Sequence, residues 1–501
     1  METNEQIIKV SISQIGERDG LVTVSGVAER LGNRRVELIV NDDLNRRYVA
    51  VSKENGEWSC SFSVPYNGSY KVVASIRDYS DFNRIRCATS SDSCFMLEGS
   101  NVWGATVTKH TDGLYYMIFS TWDTHDEFKT DWYHYSELGY AVSARLNGPY
   151  TYCGKALDAS YGNTTHAEPI QWSYGRLDVF HNPTLLRSER DGKYYLYFMG
   201  TSLDDPEKSH RRQRTGVAYA EHPAGPWTVM DAPVFDVREH WEWFLTSNPS
   251  VAEVKQADGS YLYYAVYKGS GTYEEQRLTA TGRGTASDPL GPFLRADAPI
   301  MRDPAVGFSV EDCYVWHHNG RYYALAKDMT KGNLTGVRGA YSYALFESLD
   351  GEAWGLAEHK LAFRNEIPWE KGTQTVSHLE RSQLYVEDGI PFLICNATTI
   401  SGESPYLGNQ PYNVQIPLLG ALLASDEALL TVADLRPKQV DRGTLEQLLG
   451  RAETMDVTKL EGDRRKRLQS AVRGARILLQ RDSEQDELEL AAAILRKAFE
   501  N

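Results

Sequence analysis

Two pairs of charged residues late in the chain have the chemistry of an acid–base site. Glu311 is followed by Asp312, and Glu380 is followed by Arg381. Carboxylates brought close together repel, which raises the pKa of one of them and makes an acid beside a base. Two carboxylates flanking a glycosidic bond are what its hydrolysis requires. Glu311, Asp312 and Glu380 are therefore predicted catalytic residues, although structural ion pairing with nearby lysines and arginines would also explain them.

A second polar group stands where an apolar strand begins. Asp178, His181 and Asn182 precede Pro183 and the run TLL. Asp178 and His181 are predicted to join the catalytic site and, with Asn182, to bind the terminal sugar. The alternative is structural, because Asn-Pro is a common turn dipeptide and a single histidine can be a satisfied core residue.

Further polar and aromatic residues are candidates for substrate binding. Aromatic rings stack on sugar faces, and long charged side chains reach sugar hydroxyls. The predicted substrate-binding residues are Trp103, Asn182, Asn248, Arg214, Lys268, Lys327, Asp328 and Arg381. Other tryptophans belong either to the rim of the site or to the core, namely Trp122, Trp132, Trp172, Trp241 and Trp316.

These candidates recur at matching places in a repeat. Two apolar strands joined by an Asp-Gly or Asn-Gly turn, a strong hairpin signal, occur with turns at Gly113, Gly192, Gly259, Gly320 and Gly389. A second marker, Gly-Pro-aromatic, runs out of phase at Gly148, Gly225 and Gly291, with a looser copy at Gly351. Units of about 60 to 80 residues have the size of propeller blades. The first strand of each blade lines the axis, so polar residues at those strand starts are predicted to converge on one funnel.

The flanking segments predict two further domains. The N-terminal segment alternates as short strands separated by turns, which is typical of a small β-sandwich. After Pro437, apolar residues follow the helical spacing i, i+3, i+4, i+7 and predict three amphipathic helices. The predicted fold is mainly β, with a β-sandwich accessory domain (1–95), a five-bladed β-propeller catalytic domain (96–435) and a three-helix bundle (436–501).

The composition limits the classes of partner expected for the protein. The 501-residue chain has a formal charge of −15, which argues against nucleic acid or an anionic membrane surface. Its start, METNEQIIKV, lacks the basic and apolar regions of a signal peptide, and no apolar run has the length of a transmembrane helix. Six cysteines without a CxxC pair favour free thiols in a reducing compartment. A cytoplasmic protein is expected, or a secreted one if a signal was removed, and the oligomeric state is not predicted.

Several segments resemble known carbohydrate-active enzymes. VFHNPTLLR, RTGVAYAEHPAGPW, LTSNPSV, EDCYVW and LERSQL resemble a largely uncharacterised bacterial group described as family-43-like. That group is similar to the five-bladed propeller glycoside hydrolases of the arabinanase, xylosidase and invertase superfamily. The resemblance covers about residues 100 to 400 and implies the propeller fold and action on a glycosidic bond. The run from Leu445 to Phe499 resembles the FIVAR modules appended to many bacterial carbohydrate-active enzymes.

The catalytic triad of family 43 does not carry over. That family has an aspartate base on the first blade, an aspartate pKa modulator on the second and a glutamate acid on the third. The matching positions here begin with Trp103, His181 and Ser247. Family 117 relatives are thought to use a histidine acid, which keeps His181 a candidate. Family 130 phosphorylases also carry Asn-Pro and Glu-Asp-Pro elements.

The function expected from the sequence is exo-acting hydrolysis of a glycosidic bond in an oligosaccharide or glycoside. Glu311 or Asp312 is the expected acid or base, with Glu380 as its partner. No cofactor or catalytic metal is expected, and a structural divalent cation on the propeller axis stays open. The alternatives are a glycoside phosphorylase, a non-catalytic carbohydrate-binding propeller, which the missing triad favours, and a metal-dependent sugar deacetylase, which rests on the histidines.

Overall fold

The computed structural model describes residues 8–29, 33–80, 82, 86–123, 128–239, 241–273, 276–338, 341–399, 401–403, 409–435, 440–460 and 462–500. The chain is mainly β and divides into two compact units. The first unit comprises residues 1–85 and 419–441, and the second comprises residues 86–418 and 442–501.

The strands of the first unit are β1 (Lys9–Arg18), β2 (Leu21–Glu29), β3 (Arg35–Val40), β4 (Asp43–Val51), β5 (Glu57–Ser63), β6 (Gly68–Asp78) and, at the far end of the chain, β31 (Ala421–Val432). They form a three-stranded sheet in the order β1-β2-β5 and a four-stranded sheet in the order β31-β6-β3-β4. Alternate residues of these strands point inward. Both sheets bury them in one hydrophobic core, which includes Val24, Leu38, Trp58 and Val72.

The strands of the second unit are β7 (Cys94–Phe95), β8 (Ser100–Lys109), β9 (Tyr115–Asp123), β10 (Glu137–Ser143), β11 (Thr151–Leu157), β12 (Gln171–Trp172), β13 (Gly175–Arg176), β14 (Val179–Arg187), β15 (Tyr194–Thr201), β16 (Arg214–Ala220), β17 (Thr228–Val229), β18 (Leu245–Lys255), β19 (Tyr261–Tyr273), β20 (Gln276–Ala286), β21 (Leu294–Arg295), β22 (Val310–His318), β23 (Arg321–Asp328), β24 (Tyr343–Ser348), β25 (Gly355–Phe363), β26 (Glu366–Trp369), β27 (Gly372–Thr375), β28 (Glu380–Glu387), β29 (Ile390–Thr399) and β30 (Pro411–Pro417).

Five antiparallel four-stranded sheets make up most of this unit. Their orders are β8-β9-β10-β11, β14-β15-β16-β17, β18-β19-β20-β21, β22-β23-β24-β25 and β28-β29-β30-β7. The first strand of each sheet contacts the first strand of the next, and β28 contacts β8, so the five inner strands close into a ring. The predicted turns at Gly113, Gly192, Gly259, Gly320 and Gly389 all join the first two strands of a sheet.

The structure places the unit boundaries differently from the sequence prediction. Residues 86–95 belong to the second unit, because β7 pairs with β30 and supplies the fourth strand of the fifth sheet. Residues 419–435 belong to the first unit, because β31 pairs with β6 along its whole length. Local strand signals cannot reveal either exchange, since both pairings join segments that are distant in sequence.

The helices are α1 (Phe128–Tyr135), α2 (Gly443–Glu453), α3 (Gly462–Gln480) and α4 (Gln485–Glu500). The last three contact one another, and α3 and α4 also contact β11 at the edge of the first sheet. Their buried positions include the predicted apolar residues Leu445, Leu468, Ala475, Leu488 and Leu495. Among the described helices none is both long and apolar enough to cross a membrane.

Each inner strand is interrupted by a bulge at its start. The pairing register shifts after Trp103, His181, Ser247, Glu311 and Glu380. The residue that follows each of these has positive φ, namely Gly104 (52°), Asn182 (51°), Asn248 (49°), Asp312 (53°) and Arg381 (49°). Glycine, asparagine and aspartate adopt this left-handed conformation more readily than other residues, so four of the five residues suit it. We call these five residues the floor layer, and the five residues before them the upper layer.

Candidate functional site

The inner strand starts surround one cavity of about 440 Å³. It is lined by Trp103, Trp122, Trp132, His181, Asn182, Gln213, Asn248, Lys268, Glu311, Asp312, Lys327, Tyr341, Ser377, His378 and Glu380. Nine of the predicted site residues are in this lining: Trp103, His181, Asn182, Asn248, Lys268, Glu311, Asp312, Lys327 and Glu380. They come from all five sheets, as expected if the starts of the repeats converge.

The floor layer is a chain of hydrogen bonds across four sheets. The Asn182 amide donates to Asn248 Oδ1 at 2.8 Å, and the Asn248 amide donates to Asp312 Oδ1 at 2.8 Å. The backbone N–H of Arg381 donates to Asp312 Oδ2 at 3.0 Å. Because the Asp312 carboxylate only accepts, it sets the direction in which both amides point. Asp312 therefore acts as a hydrogen-bond acceptor in the floor, and the catalytic role predicted for it stays a prediction.

Arg381 occupies the centre of the ring beneath the cavity. Its side chain is fully buried, and Nη2 donates to Asn182 O (3.2 Å), Thr184 Oγ1 (3.2 Å) and Pro249 O (3.0 Å). A Cβ on Gly104 would lie 2.9 Å from Arg381 Cγ, so only glycine leaves room for this side chain. Arg381 therefore supports the floor, and it is not among the residues that line the cavity.

The Arg381 guanidinium also affects whether a divalent cation could bind on the axis, a question that the sequence leaves open. The two carbonyl oxygens and the hydroxyl that face it could ligate a hard cation. They accept hydrogen bonds from Arg381 instead, and a cation there would meet a fixed positive charge. These residues do not fit a metal ion on the axis.

Two lysines hold the two glutamates that face the cavity. Lys268 Nζ lies 2.9 Å from Glu311 Oε1, and Lys327 Nζ lies 3.8 Å from Glu311 Oε2. Lys327 Nζ also donates to both oxygens of Glu380, at 2.6 and 2.5 Å. Lys268 and Lys327 are on the second strands of the third and fourth sheets, paired with Ser247 and Glu311 of the upper layer. Lys327 is thus shared between the two carboxylates.

This arrangement separates the acidities of the two glutamates. Burial acts to raise the pKa of Glu311, but the ammonium groups of Lys268 and Lys327 outweigh it and lower that pKa to about 2. At Glu380 burial has the largest effect, and with the charges of Asp312 and Glu311 it raises the pKa to about 7 against the opposing effect of Lys327. Glu380 has one ammonium group where Glu311 has two, so Glu380 is the carboxyl that keeps a proton near neutral pH.

The two glutamates are also close enough to act on one bond. The Oε2 atoms of Glu311 and Glu380 lie 3.8 and 2.5 Å from Lys327 Nζ, so they are no more than the sum, 6.3 Å, apart. Carboxyl pairs of retaining glycosidases are about 5–5.5 Å apart, and those of inverting enzymes about 6.5–9.5 Å. A limit of 6.3 Å on one pair of oxygens is compatible with both kinds of enzyme, because those ranges refer to the two carboxyl groups as wholes.

Neutral imidazoles and aromatic rings also line the cavity. His181 Nδ1 is 2.8 Å from Ser136 Oγ, and its ring lies 5.0 Å from that of Trp132 and 5.5 Å from that of Trp122. Burial lowers the pKa of His181 well below its usual value. Burial and then Lys327 lower the pKa of His378 to about 4, and its ring stacks 6.2 Å from Trp103. Both histidines are uncharged at neutral pH.

Three predicted site residues lie elsewhere. Asp178 accepts from the Leu203 backbone N–H at 2.9 Å and pairs with Arg176 at 2.9 Å. Arg214 pairs with Asp236 at 2.6 Å. Asp328 is fully buried and accepts hydrogen bonds from the loop that follows its strand. Each is a polar residue near a strand end whose side chain bonds to a nearby loop, and sequence alone does not distinguish such a residue from a site residue.

Of the tryptophans considered for the rim, only some reach the cavity. Trp103, Trp122 and Trp132 line it. Trp172 and Trp241 are instead buried in hydrophobic clusters, and Trp316 stacks on Tyr323.

Sequence reasoning missed four lining residues, Gln213, Tyr341, Ser377 and His378. His378 had a usable signal, because it stands two residues before Glu380 at the start of an inner strand. The other three are in connecting segments outside the repeat. Tyr341 places its ring 5.1 Å from Lys327 Nζ, a contact with no counterpart in the sequence pattern.

Comparison with known proteins gives structural neighbours only. No family model matches the chain, and no curated protein matches it. Zg3597, a family 117 glycoside hydrolase produced by the marine bacterium Zobellia galactanivorans, is 17% identical with a TM-score of 0.44, over 67% of this chain and 88% of that chain. A thermostable family-43 glycoside hydrolase is 16% identical with a TM-score of 0.45, over 70% of this chain and 98% of that chain.

A third solved structure, the GH43_1 enzyme from Xanthomonas citri complexed with xylotriose, is 14% identical with a TM-score of 0.39. It matches over 64% of this chain and 89% of that chain. Identities this low say nothing about activity, so the assignment of a function rests on the site itself.

Proposed function

We propose that this protein is a glycoside hydrolase that cleaves a glycosidic bond of an oligosaccharide in the cavity at the ring axis. The observation that carries the proposal is the pair Glu311 and Glu380. They face one cavity and share Lys327, with pKa values of about 2 and about 7. A protonated carboxyl beside an ionised one is the pair that glycoside hydrolysis needs.

Glu380 is the general acid in this proposal. Its carboxyl protonates the glycosidic oxygen as the bond to the anomeric carbon breaks. The carboxylate that remains keeps its two contacts with the Lys327 ammonium, at 2.5 and 2.6 Å, which stabilise the charge that forms on proton transfer.

Glu311 acts on the anomeric carbon. Its low pKa keeps it ionised, as direct attack on that carbon and a covalent glycosyl-enzyme intermediate require. Water then hydrolyses the intermediate, with Glu380 as the base, so the product retains its anomeric configuration. The released monosaccharide gives the configuration directly by NMR during early turnover.

Exo-action is supported by the closed floor. Arg381 and the amide chain Asn182–Asn248 lie beneath the cavity, so a sugar chain that enters along the axis ends there. The Trp103 and Trp132 rings offer faces for stacking on the terminal sugar, and neutral His181 offers a ring nitrogen for its hydroxyls.

We extend this proposal to the fold of both units. We infer that the five sheets are the blades of a five-bladed propeller related to the family-43-like group. The two sheets of the first unit would form an accessory β-sandwich, and α2–α4 a FIVAR-like bundle.

The test is a product assay on a broad panel of oligosaccharides, with and without phosphate and with and without a chelator. We expect a monosaccharide to be released from at least one substrate and this release to be lost in Glu311→Gln and in Glu380→Gln. Asp178→Asn is the matched control, because it removes a carboxylate outside the cavity. A sugar phosphate formed only with phosphate would make the enzyme a phosphorylase. Deacetylation abolished by a chelator would make it a metal-dependent deacetylase. Glycan binding without any turnover would leave a carbohydrate-binding protein.

A further inference from the structure

A second cluster of metal-ligating side chains lies outside the cavity. His110 and Asp112 are in the turn between β8 and β9, and His222 follows β16 of the second sheet. One ligand atom from each residue lies within 4.8 Å of the other two. The two imidazole rings meet edge to face with their centroids 4.4 Å apart. Two neighbouring sheets therefore bring two imidazoles and a carboxylate to one point.

The cluster is distant from the cavity. His110 is seven residues beyond Trp103 along the same strand, a span of roughly 23 Å at about 3.3 Å per residue. None of its three members is in the cavity lining. The catalytic proposal neither uses this cluster nor explains why its residues converge.

Surrounding tyrosines hold two of the side chains in place. The His110 Nδ1 atom lies 2.8 Å from Tyr194 Oη, so an Nδ1–H that donates to this oxygen leaves Nε2 with a free lone pair. Tyr116 Oη donates to Asp112 Oδ2 at 2.8 Å, and the Leu114 N–H donates to Oδ1 at 2.9 Å. Partners that orient an imidazole and a carboxylate in this way are typical around bound metal ions.

We propose that His110, Asp112 and His222 form a binding site for a first-row divalent transition-metal cation, of which zinc is the natural probe. Two imidazoles and one carboxylate suit zinc, cobalt or nickel, whereas calcium and magnesium prefer oxygen ligands throughout. Three protein ligands leave the fourth position of a tetrahedral site to water.

Binding requires small local changes. Zinc–nitrogen bonds of about 2.0–2.1 Å place tetrahedral ligand atoms about 3.3 Å apart, so atoms that lie within 4.8 Å of one another close in by at most about 1.5 Å. The Thr111 hydroxyl, 3.3 Å from His110 Nε2, must turn away. The Ala224 N–H, 3.0 Å from His222 Nδ1, must lose its acceptor when that nitrogen takes the proton. These losses predict micromolar affinity, weaker than a closed structural zinc site.

The bound ion would add a bridge between two neighbouring sheets. Asp112 and His110 belong to the first sheet and His222 to the second, so the ion bridges them at the turn ends of their strands. Since the ion binds the folded chain, zinc raises the temperature of unfolding.

The experiment uses the full chain, free of any affinity tag and stripped with a chelator. Isothermal titration with zinc and absorption spectra with cobalt measure stoichiometry and geometry, and thermal unfolding measures stabilisation. We expect one zinc per chain, the visible cobalt bands of a four-coordinate site, and an unfolding temperature raised by about 2–4 °C at saturating zinc.

Three variants locate the site. His110→Gln, Asp112→Asn and His222→Gln should each weaken zinc binding at least tenfold and abolish the cobalt bands. His359→Gln, an exposed histidine of β25, is the matched control and should bind as the original chain does. The proposal is overturned if the stripped protein binds no zinc at 100 micromolar, or if zinc binding is the same in His222→Gln as in the control. Neither result depends on whether the cavity is catalytic.

Discussion

The upper layer and the floor layer are made of neighbouring residues with opposite requirements. Glu311 and Glu380 of the upper layer keep 20% and 17% of their side-chain surface exposed and pair with lysines. Asp312 and Arg381, the next residues in each strand, are buried and bonded into the floor. The left-handed backbone of the floor explains its glycine, asparagines and aspartate. No backbone requirement explains tryptophan, histidine, serine and two glutamates in the upper layer, so that layer is where the chemistry is free to differ between sheets.

The largest effect is expected when the Arg381 side chain at the centre of the floor is removed. Arg381→Met removes three hydrogen bonds to buried oxygens, of which only Pro249 O keeps another donor among the described residues, the Thr184 hydroxyl, and it removes a cation close to Asp312. Breaking a buried, charged network in this way costs about 3–5 kcal/mol of unfolding free energy. Urea unfolding measures the loss. The control Arg283→Met breaks a pair with the exposed Glu352 and should cost less than about 1 kcal/mol. Equal losses would mean that Arg381 does not organise the floor.

A smaller effect separates the hydrogen bonds of the floor from its backbone conformation. Asn248→Gly keeps the positive φ and loses both side-chain hydrogen bonds of Asn248. This loss should lower the unfolding free energy by about 1–3 kcal/mol. Asn248→Ala loses the same bonds and adds about 1–2 kcal/mol for a left-handed alanine. Chemical denaturation of the two variants gives both quantities. If alanine is no worse than glycine, the backbone does not set the residue type here.

The upper layer should be tested through its pH profile. Catalysis needs Glu311 ionised and Glu380 protonated, so kcat/KM should fall as pH rises through about 7, tenfold per unit above it. Lys327→Met removes a positive charge from both carboxyls and should raise both pKa values, moving the alkaline limb up by about 1–3 units.

Lys268→Met is the control for that shift. Lys268 contacts Glu311 and not Glu380, so its loss should leave the alkaline limb in place. An alkaline limb that moves equally in both variants, or in neither, would remove Glu380 as the acid.

The smallest effect is expected outside both layers. Asp178→Asn should change kcat/KM less than twofold, because Asp178 bonds to Leu203 and Arg176 and not to the cavity. Its unfolding free energy should fall by about 0.5–1.5 kcal/mol with the weakened contacts. A large loss of activity in a folded Asp178→Asn protein would extend the site beyond the described cavity.

The sequence predicted the convergence of strand starts because turn glycines and aromatic strands repeat visibly. It therefore found Glu311, Glu380, Lys268 and Lys327 as members of one site. It did not predict that the residue after each of the two glutamates turns into the floor, since a bulge depends on pairing between strands. For the same reason Asp312 and Arg381 were assigned to chemistry or substrate, and the structure gives them to the floor.

The remaining differences have a common cause. Gln213 and Tyr341 reach the cavity from segments outside the repeat, and Asp178 and Asp328 look like site residues but bond to nearby loops. The pairing of β31 with β6 joins residues more than three hundred positions apart. Local periodicity carries none of this information.

The pairing of β31 with β6 affects how the chain folds during its synthesis. The four-stranded sheet of the first unit needs β31, so it stays incomplete until synthesis has passed Val432 and all five sheets of the second unit have emerged. Until then the edge of β6 is unpaired, which is the kind of edge that recruits other strands. A fragment ending at residue 95 would keep that edge permanently.

The register of the β6–β31 pairing shows how the edge of β6 could be covered in a shorter chain. Asp78 lies opposite Ala421, so β6 ends where β31 begins. Replacing residues 79–420 with a two-residue turn would convert these strands into an ordinary hairpin. The first unit could then be produced as one continuous piece, with residues 86–418 of the second unit treated as an insertion into it.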